Sequence, residues 1–301
     1  MRPAKCSDPV VLNLWHAIAA IEETPVDAVC ETVLLEERVS YTIGRGGNPA
    51  AWRSRPDQAA GDRVDAASTR PELPARIAYG YIWVSLGEPA VDIFPIPEFA
   101  ESDRRRFNAA TIGVHCSAPR AIENFLDMAH FPYVHTDILG AEPHTEVKEY
   151  DVEVSVDRDE VVATRCRFFQ PKAAAASDDA AEVDYIYRVP HPFCSILYKS
   201  SPVDAARLDV IALFVQPVDQ ERIRAHMMLC LLDETSDDKA IRRFQQTIFG
   251  QDKPILENQF PKRLPLDPRA ETPIRADKSA IAYRRWLSQK GITYGVVPAP
   301  T

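Results

Sequence analysis

The chain has 301 residues, of which 46% are hydrophobic, and a formal net charge of −9 from 44 acidic against 35 basic side chains. That length and apolar content suffice for one large core or two ordinary ones, which excludes a disordered acidic protein. The acidic balance excludes nucleic acid or an anionic membrane as the main partner, because phosphate binding needs a basic face.

The first apolar run, VVLNLWHAIAA at residues 10–20, weakly imitates a secretory leader, but Asn13 and His16 interrupt it. It reads instead as the first structural element of a cytoplasmic protein. No segment approaches the roughly 20 apolar residues that a membrane span requires. Six scattered cysteines, without a CxxC pair, read as reduced and mostly buried thiols.

Residues 31–43, ETVLLEERVSYTI, have the β-branched content of a strand and end at the turn signal GRGGNP. A second strand is predicted over 77–86, IAYGYIWVSL, and the polar, aperiodic stretch 53–76 between them reads as loop. The Pro-rich segment EPAVDIFPIPEFAES leads to an expected boundary that divides the chain into residues 1–105 and 106–301. Beyond it a helix is predicted over 118–131, N-capped by Ser117. Six alternating segments follow: YDVEVSV, VVATRCRFF, VDYIYRV, SILYKS, LDVIALFV and IRAHMMLCLL, the first two joined by a DRDE hairpin. Helices over about 236–259 and 277–289 complete an α+β arrangement, an antiparallel sheet with a long C-terminal helix laid against it.

The stretch ENFLDMAHFPYVH, residues 123–135, places Asp127, His130 and His135 in a run that is otherwise almost wholly apolar. Asp127 and His130, three apart, share a helix face, whereas His130 and His135 would diverge on an unbroken helix. Pro132 disfavours helical geometry at Phe131, so the chain can turn there and bring the two imidazoles together. A single histidine on an apolar face is usually a satisfied core residue; three ionisable groups within nine residues need a partner, and a divalent cation is an efficient one. A third ligand is sought on the helix QQTIFGQDKPILENQ. There Ile241, Phe244, Ile248, Asp252 and Ile255 form one stripe, with Glu257 well round the other side and a kink expected at Pro254. Taken alone, Asp252 could equally be a residue that flanks that kink.

The ordered motif N-x-x-D-x-x-H-x-x-x-x-H (Asn124, Asp127, His130, His135), with FGQDKPILENQ, LPLDPRAE and AYRRWL downstream, resembles the catalytic domain of the Rieske non-haem iron oxygenases over residues 105–295. The resemblance implies a helix-grip, START-like catalytic domain. It implies mononuclear Fe(II) held by His130, His135 and Asp252, with Asp127 as the aspartate that links an iron ligand to a cluster ligand across a subunit boundary, and Asn124 close to the metal. Two histidines and one carboxylate leave adjacent positions open for O₂ beside a substrate.

Such proteins also carry C-x-H and C-x-x-H motifs that hold a [2Fe–2S] cluster, and this sequence has neither. NPAAWRSRPD and YGYIWVSLGEPAVDIFPIPEF nevertheless resemble the strands and exit segment of a Rieske domain, which implies a degenerate Rieske-like unit over residues 1–105 whose cluster loops are replaced by the 53–76 loop. Electrons from NAD(P)H would then come through a separate Rieske-containing reductase or oxygenase partner. The form resembles family members that remove N-methyl groups, so oxidative N-demethylation of a methylxanthine-like heterocycle is the expected reaction. O-demethylation or ring hydroxylation of an aromatic substrate, a non-catalytic scaffold subunit and a zinc hydrolase are the alternatives, and assembly with copies of itself or with other chains is left open.

Other residues invite over-reading. His144 reads as a solvent-facing loop residue, His115 and Cys116 as adjacent strand residues on opposite faces, and His191 as a turn residue between prolines. Tyr185, Tyr187, Phe193 and Phe214 either line a pocket for a flat substrate or are plain core.

Overall fold

A computed structural model describes residues 5–64, 72–172, 174–175 and 179–299. The first apolar run is a short helix, α1 (Pro9–Leu12), capped by the Asp8 carboxylate, followed by the fully buried strand β1 (His16–Ala20). Residues 31–43 form two strands rather than one, β2 (Cys30–Leu34) and β3 (Glu37–Ile43). The turn lies at Leu35 and Glu36, both in the left-handed region at φ 51° and 66°. Neither residue type announces such a turn. It is anchored by tertiary contacts, because their N–H groups donate to the carbonyls of Pro217 and Val218. After β4 (Pro49–Arg53), residues 77–86 likewise divide into β5 (Ala75–Ala78) and β6 (Tyr81–Val84) around Tyr79 and Gly80, again both at positive φ. Part of the 53–76 loop, residues 65–71, lies outside the described residues.

Next comes a strand that the sequence reading missed, β7 (Arg105–Val114), whose small and polar residues NAATIG hide its character. The segment 118–131 is not one helix. α2 (Ala118–Leu126) starts at the Ser117 cap and stops at Asp127, and a separate turn, α3 (Phe131–Val134), has Pro132 in its first positions, where a missing N–H costs nothing. The six predicted strands are all present: β8 (Asp151–Ser155), β9 (Glu160–Gln170), β10 (Ala181–His191), β11 (Cys194–Ser200), β12 (Leu208–Pro217) and β13 (Ile223–Leu231). The long helix α4 (Asp238–Asn258) runs through Pro254, and α5 (Lys278–Gln289) follows.

Strands β7 to β13 make one antiparallel sheet in the order β7-β13-β12-β11-β10-β9-β8, and two three-stranded sheets, β1-β6-β5 and β2-β3-β4, come from the preceding residues. The middle strands of the large sheet are apolar on both faces because both are covered. Ile196, Tyr198, Val210, Phe214 and Met228 pack on Trp15, Tyr81 and Trp83 of the β1-β6 layer. Leu197, Leu213, Met227 and Leu229 point the other way, into a cavity roofed by α4. Along the open edge of the sheet, Arg242, Gln246 and Lys253 of α4 donate to the carbonyls of Asn108, Ala109 and Gly113 at 3.0, 2.7 and 3.0 Å. Those bonds satisfy an unpaired strand edge and fix α4 against the sheet. Helix α2 is held to α5 by Arg284 on Glu123 at 2.5 Å, with Arg120 on Glu271 at 2.6 Å beside it.

Gly140 closes the turn that follows α3. A Cβ there would lie 2.6 Å from the Pro132 nitrogen and 2.8 Å from its Cα. Gly140→Ala must therefore displace the backbone between His130 and His135. The expected cost is about 1–3 kcal/mol of stability, as for other overpacked sites, together with weaker metal retention. Thermal melting and metal content of the purified variant check this; values equal to those of the unmodified chain would contradict it.

Candidate metal centre

Asp127 ends α2 and its carboxylate bonds twice nearby: Oδ1 accepts the Ala129 N–H at 2.8 Å and Oδ2 meets His130 Nδ1 at 2.9 Å. The aspartate and the histidine thus meet across a turn rather than along a helix face. His135, 1% exposed, meets Gln251 Oε1 through its own Nδ1 at 2.9 Å. Both acceptors are oxygens, so both rings are assigned their proton on Nδ1, which leaves a bare lone pair on each Nε2. These two nitrogens lie 3.1 Å apart. Asp252 Oδ1 sits 3.3 Å from one and 3.2 Å from the other, and the Asn124 amide donates to that same oxygen at 3.1 Å.

With both rings neutral, three lone pairs directed at one point repel unless a cation, a proton or a metal ion, lies among them. Separations of 3.1–3.3 Å are what three donors on one side of a single ion show when each bond is roughly 2.0–2.2 Å long. The donor set therefore fits one divalent ion, and among the described residues it is the one such cluster. The same field acts on protons. Burial opposes charge on His130, yet Asp127 and Asp252 outweigh it and hold its pKa at about 9. Burial likewise favours a neutral Asp252, yet the two imidazoles pull it down to about 2. The pocket favours a positive charge at its centre.

All five residues picked out in the sequence, Asn124, Asp127, His130, His135 and Asp252, are brought together. The stripe on α4 differs in detail, since Ile255 is 43% exposed and the buried side continues through Phe249 and Leu256. Glu257 faces away, binding Lys253 and the His115 N–H. His144 is exposed, with its ring on Phe169, and does not approach the cluster. His115 and Cys116 follow β7 rather than lie in it, one exposed and the other buried. His191 is the last residue of β10 and is buried. Of the four aromatic candidates, Tyr185 and Tyr187 line the cavity, whereas Phe214 packs on Trp83 beyond the sheet and Phe193 contacts His16. Three participants were missed: Gln251, which orients His135, and the cavity residues Gln245 and Lys199. Gln251 adjoins Asp252, and a lysine inside an apolar strand was a signal for Lys199.

An antiparallel sheet covered by a long helix, with a cavity that ends in two imidazoles and a carboxylate, defines the class: an α+β protein whose pocket ends in a donor set that could hold one metal ion. Residues 114–291 match the model of the vanillate O-demethylase oxygenase C-terminal domain, and the chain belongs to this family, within the Rieske non-haem iron oxygenases, which brings with it an iron cofactor. It is 49% identical to the probable methylxanthine N7-demethylase NdmC of a Pseudomonas species (strain TJI-51), over 95% of this chain and 96% of that one. The structure of Pseudomonas putida CBB5 NdmA with caffeine superposes with a TM-score of 0.73 at 21% identity, over 94% of this chain and 92% of that one. Dicamba monooxygenase bound to 3,6-dichlorosalicylic acid gives 0.74 at 15% identity, over 94% and 98%. The two structural likenesses speak for the fold.

Metal analysis of the purified protein should find one ion per chain, lost in Asp252→Ala. Gln251→Leu should weaken retention by about 10- to 100-fold, as when other groups that orient a ligating histidine are removed. Full occupancy in Asp252→Ala would contradict the assignment.

Proposed function

We propose that the chain is the oxygenase component of an oxidative N-demethylase, with Fe(II) held by His130, His135 and Asp252 and a methylxanthine-like heterocycle as substrate. The observation that carries this reading is the convergence of those three donors at the end of an apolar cavity, in a chain 49% identical over nearly its whole length to a probable methylxanthine N7-demethylase. Bound iron would supply the centre at which O₂ is reduced and a C–H bond of an N-methyl group is oxidised. The product, an N-hydroxymethyl compound, loses formaldehyde and leaves N–H.

The chain's own residues do the rest. Leu197, Leu213, Met227 and Leu229 give the cavity an apolar floor that excludes water. Asn124 holds the Asp252 oxygen in place, and Gln251 fixes the His135 ring. Asp127 joins His130 to the outside: its side chain is 30% exposed and borders a second depression, lined also by Asn124, Gln259, Glu271 and Asp277.

Reduction of O₂ with one oxygen inserted takes two electrons from outside, and we assign their source to a separate Rieske-containing partner that draws on NAD(P)H and docks over Asp127. A cluster within the chain is disfavoured by counting. A Rieske centre takes two cysteines and two histidines, and before residue 115 the sequence offers Cys6, Cys30 and the single histidine His16. His16 is itself buried, bonded through Nε2 to the Val11 carbonyl, and burial lowers its pKa to about 4. Residues 1–105 are thus read as a Rieske-like unit without its cluster ligands, and 106–301 as the iron unit. Among the described residues no helix is long and apolar enough to cross a membrane, and we place the protein in the cytoplasm.

Supplied with Fe(II), NADH, a Rieske reductase and 7-methylxanthine, the chain should release formaldehyde in step with substrate loss. Ring diols without formaldehyde would contradict the reading. Asp127→Asn should keep its iron but turn over at least about tenfold more slowly, consistent with loss of a charged, orienting hydrogen bond; unchanged turnover would count against the bridge.

A further inference from the structure

Among the described residues no large apolar side chain is more exposed than Phe260, at 91%, and Ile274 is 59% exposed. A single exposed apolar residue needs no explanation; these two flank one depression. Gln259 and Pro273, their neighbours in sequence, line the depression that Asp127 borders. Phe260 is fixed there from its other side as well, because the Pro261 carbonyl accepts from Arg120, also of the lining, at 3.3 and 3.2 Å. Ile274 is fixed through its own N–H, which donates to the carboxylate of Asp277 at 2.7 Å. Two apolar side chains therefore stand on the rim of a depression that leads, through Asp127, to His130 Nδ1 2.9 Å away.

The depression itself is acidic. Its lining sets Glu123, Asp127, Glu271 and Asp277 against Arg120 and Arg284. Both guanidinium groups are engaged by two of these acids: Arg284 pairs with Glu123 at 2.5 Å and Arg120 with Glu271 at 2.6 Å. Asp127 and Asp277 are left without an arginine, and the Oε1 of Gln259 is buried with no hydrogen-bond partner. All three offer acceptors. They fit a surface that brings donors and positive charge, and the apolar rim fits a protein: interfaces combine a few apolar anchors, often aromatic, with charges that set orientation. A lone metal cation would match the acids but leave Phe260 and Ile274 in water.

We infer that Phe260 and Ile274 are the apolar anchors of the surface on which the electron-donating partner docks, with a basic segment of that partner entering the depression towards Asp127. The inference rests on the reading that a separate Rieske-containing protein supplies the electrons, and it adds which residues hold that protein and the charge of its matching face. A second copy of this chain is the competing occupant. Its net charge of −9 makes it a poor source of a basic face.

The test measures, by biolayer interferometry, the affinity of the iron-loaded full chain for the Rieske reductase of the turnover assay. Phe260→Ser should weaken it by about 10- to 100-fold, as for an aromatic anchor at an interface; Ile274→Ser should weaken it less, and Phe260→Leu should retain most of it. In turnover the reductase concentration for half-maximal rate should rise with the loss of affinity, while iron content and KM for 7-methylxanthine stay unchanged, which structural damage would not spare. Added salt should weaken the unmutated pair, because it screens opposite charges. Val156→Ser is the control: Val156 is 90% exposed, beside the hairpin whose Asp159 accepts from Trp286 at the other end of α5 from Asp277, and its loss should change nothing. Equal reductase affinity in Phe260→Ser and the unmutated chain would overturn the inference, as would a loss matched by Val156→Ser or a loss of self-association in place of reductase binding. Should Phe260→Ser fail to melt cooperatively, Ile274→Ser is put through the same comparison with the same deciding outcomes. Failure of the unmutated chain to bind the reductase at all would instead sink the partner reading, and the inference with it, and is recognised because it needs no variant.

Discussion

Two imidazole nitrogens and a carboxylate oxygen aimed at one point form an unfavourable arrangement in a protein interior unless a positive charge joins them. Each donor is fixed from behind, His130 by Asp127, His135 by Gln251 and Asp252 by Asn124, so none can turn away to relieve the repulsion. The hydrogen bonds that orient the ligands thereby create the demand for a cation. This coupling explains why polar residues persist in so apolar a segment, and why the centre is pre-organised rather than assembled by the ion.

The rest of the fold serves to bring three distant pieces of chain to that point. Asp252 arrives on α4, which is clamped to the exposed edge of β7 by side-chain donors. The histidines arrive on a broken helix whose first half is tied to α5 by the ion pairs around Arg284. Between them the sheet provides an apolar floor, possible only because its opposite face is covered by the β1-β6 layer with Trp15 and Trp83. A strand covered on both sides has no need of polar residues, and that makes Lys199 conspicuous.

The side chains that come together as candidate metal donors were legible in the sequence because their signal is chemical: charges set in an apolar run, and one carboxylate on an apolar helix stripe. The α+β class and the six long strands were legible because alternation and length agreed. What failed depended on a local side-chain bond or on tertiary contact. The helix end at Asp127 is fixed by a side chain that accepts a backbone N–H two residues on, a local bond that competes with helix continuation. The turns at Leu35 and at Tyr79 lack the usual Asn-Gly signature, and the first is imposed by the carbonyls of Pro217 and Val218. β7 is made of residues with weak strand preference and exists because β13 on one side and α4 on the other satisfy it. Gln251 could not be assigned because neighbours on a helix normally face different ways; here one reaches a ring nitrogen while the next supplies the carboxylate.

The central claim, that these three donors share one iron, is tested most directly by anomalous diffraction from crystals of the iron-loaded protein, recorded on both sides of the iron absorption edge. A single iron peak equidistant from His130 Nε2, His135 Nε2 and an oxygen of Asp252 is the predicted result. An iron peak elsewhere, or one from which the residue 252 carboxylate is turned away, would contradict it.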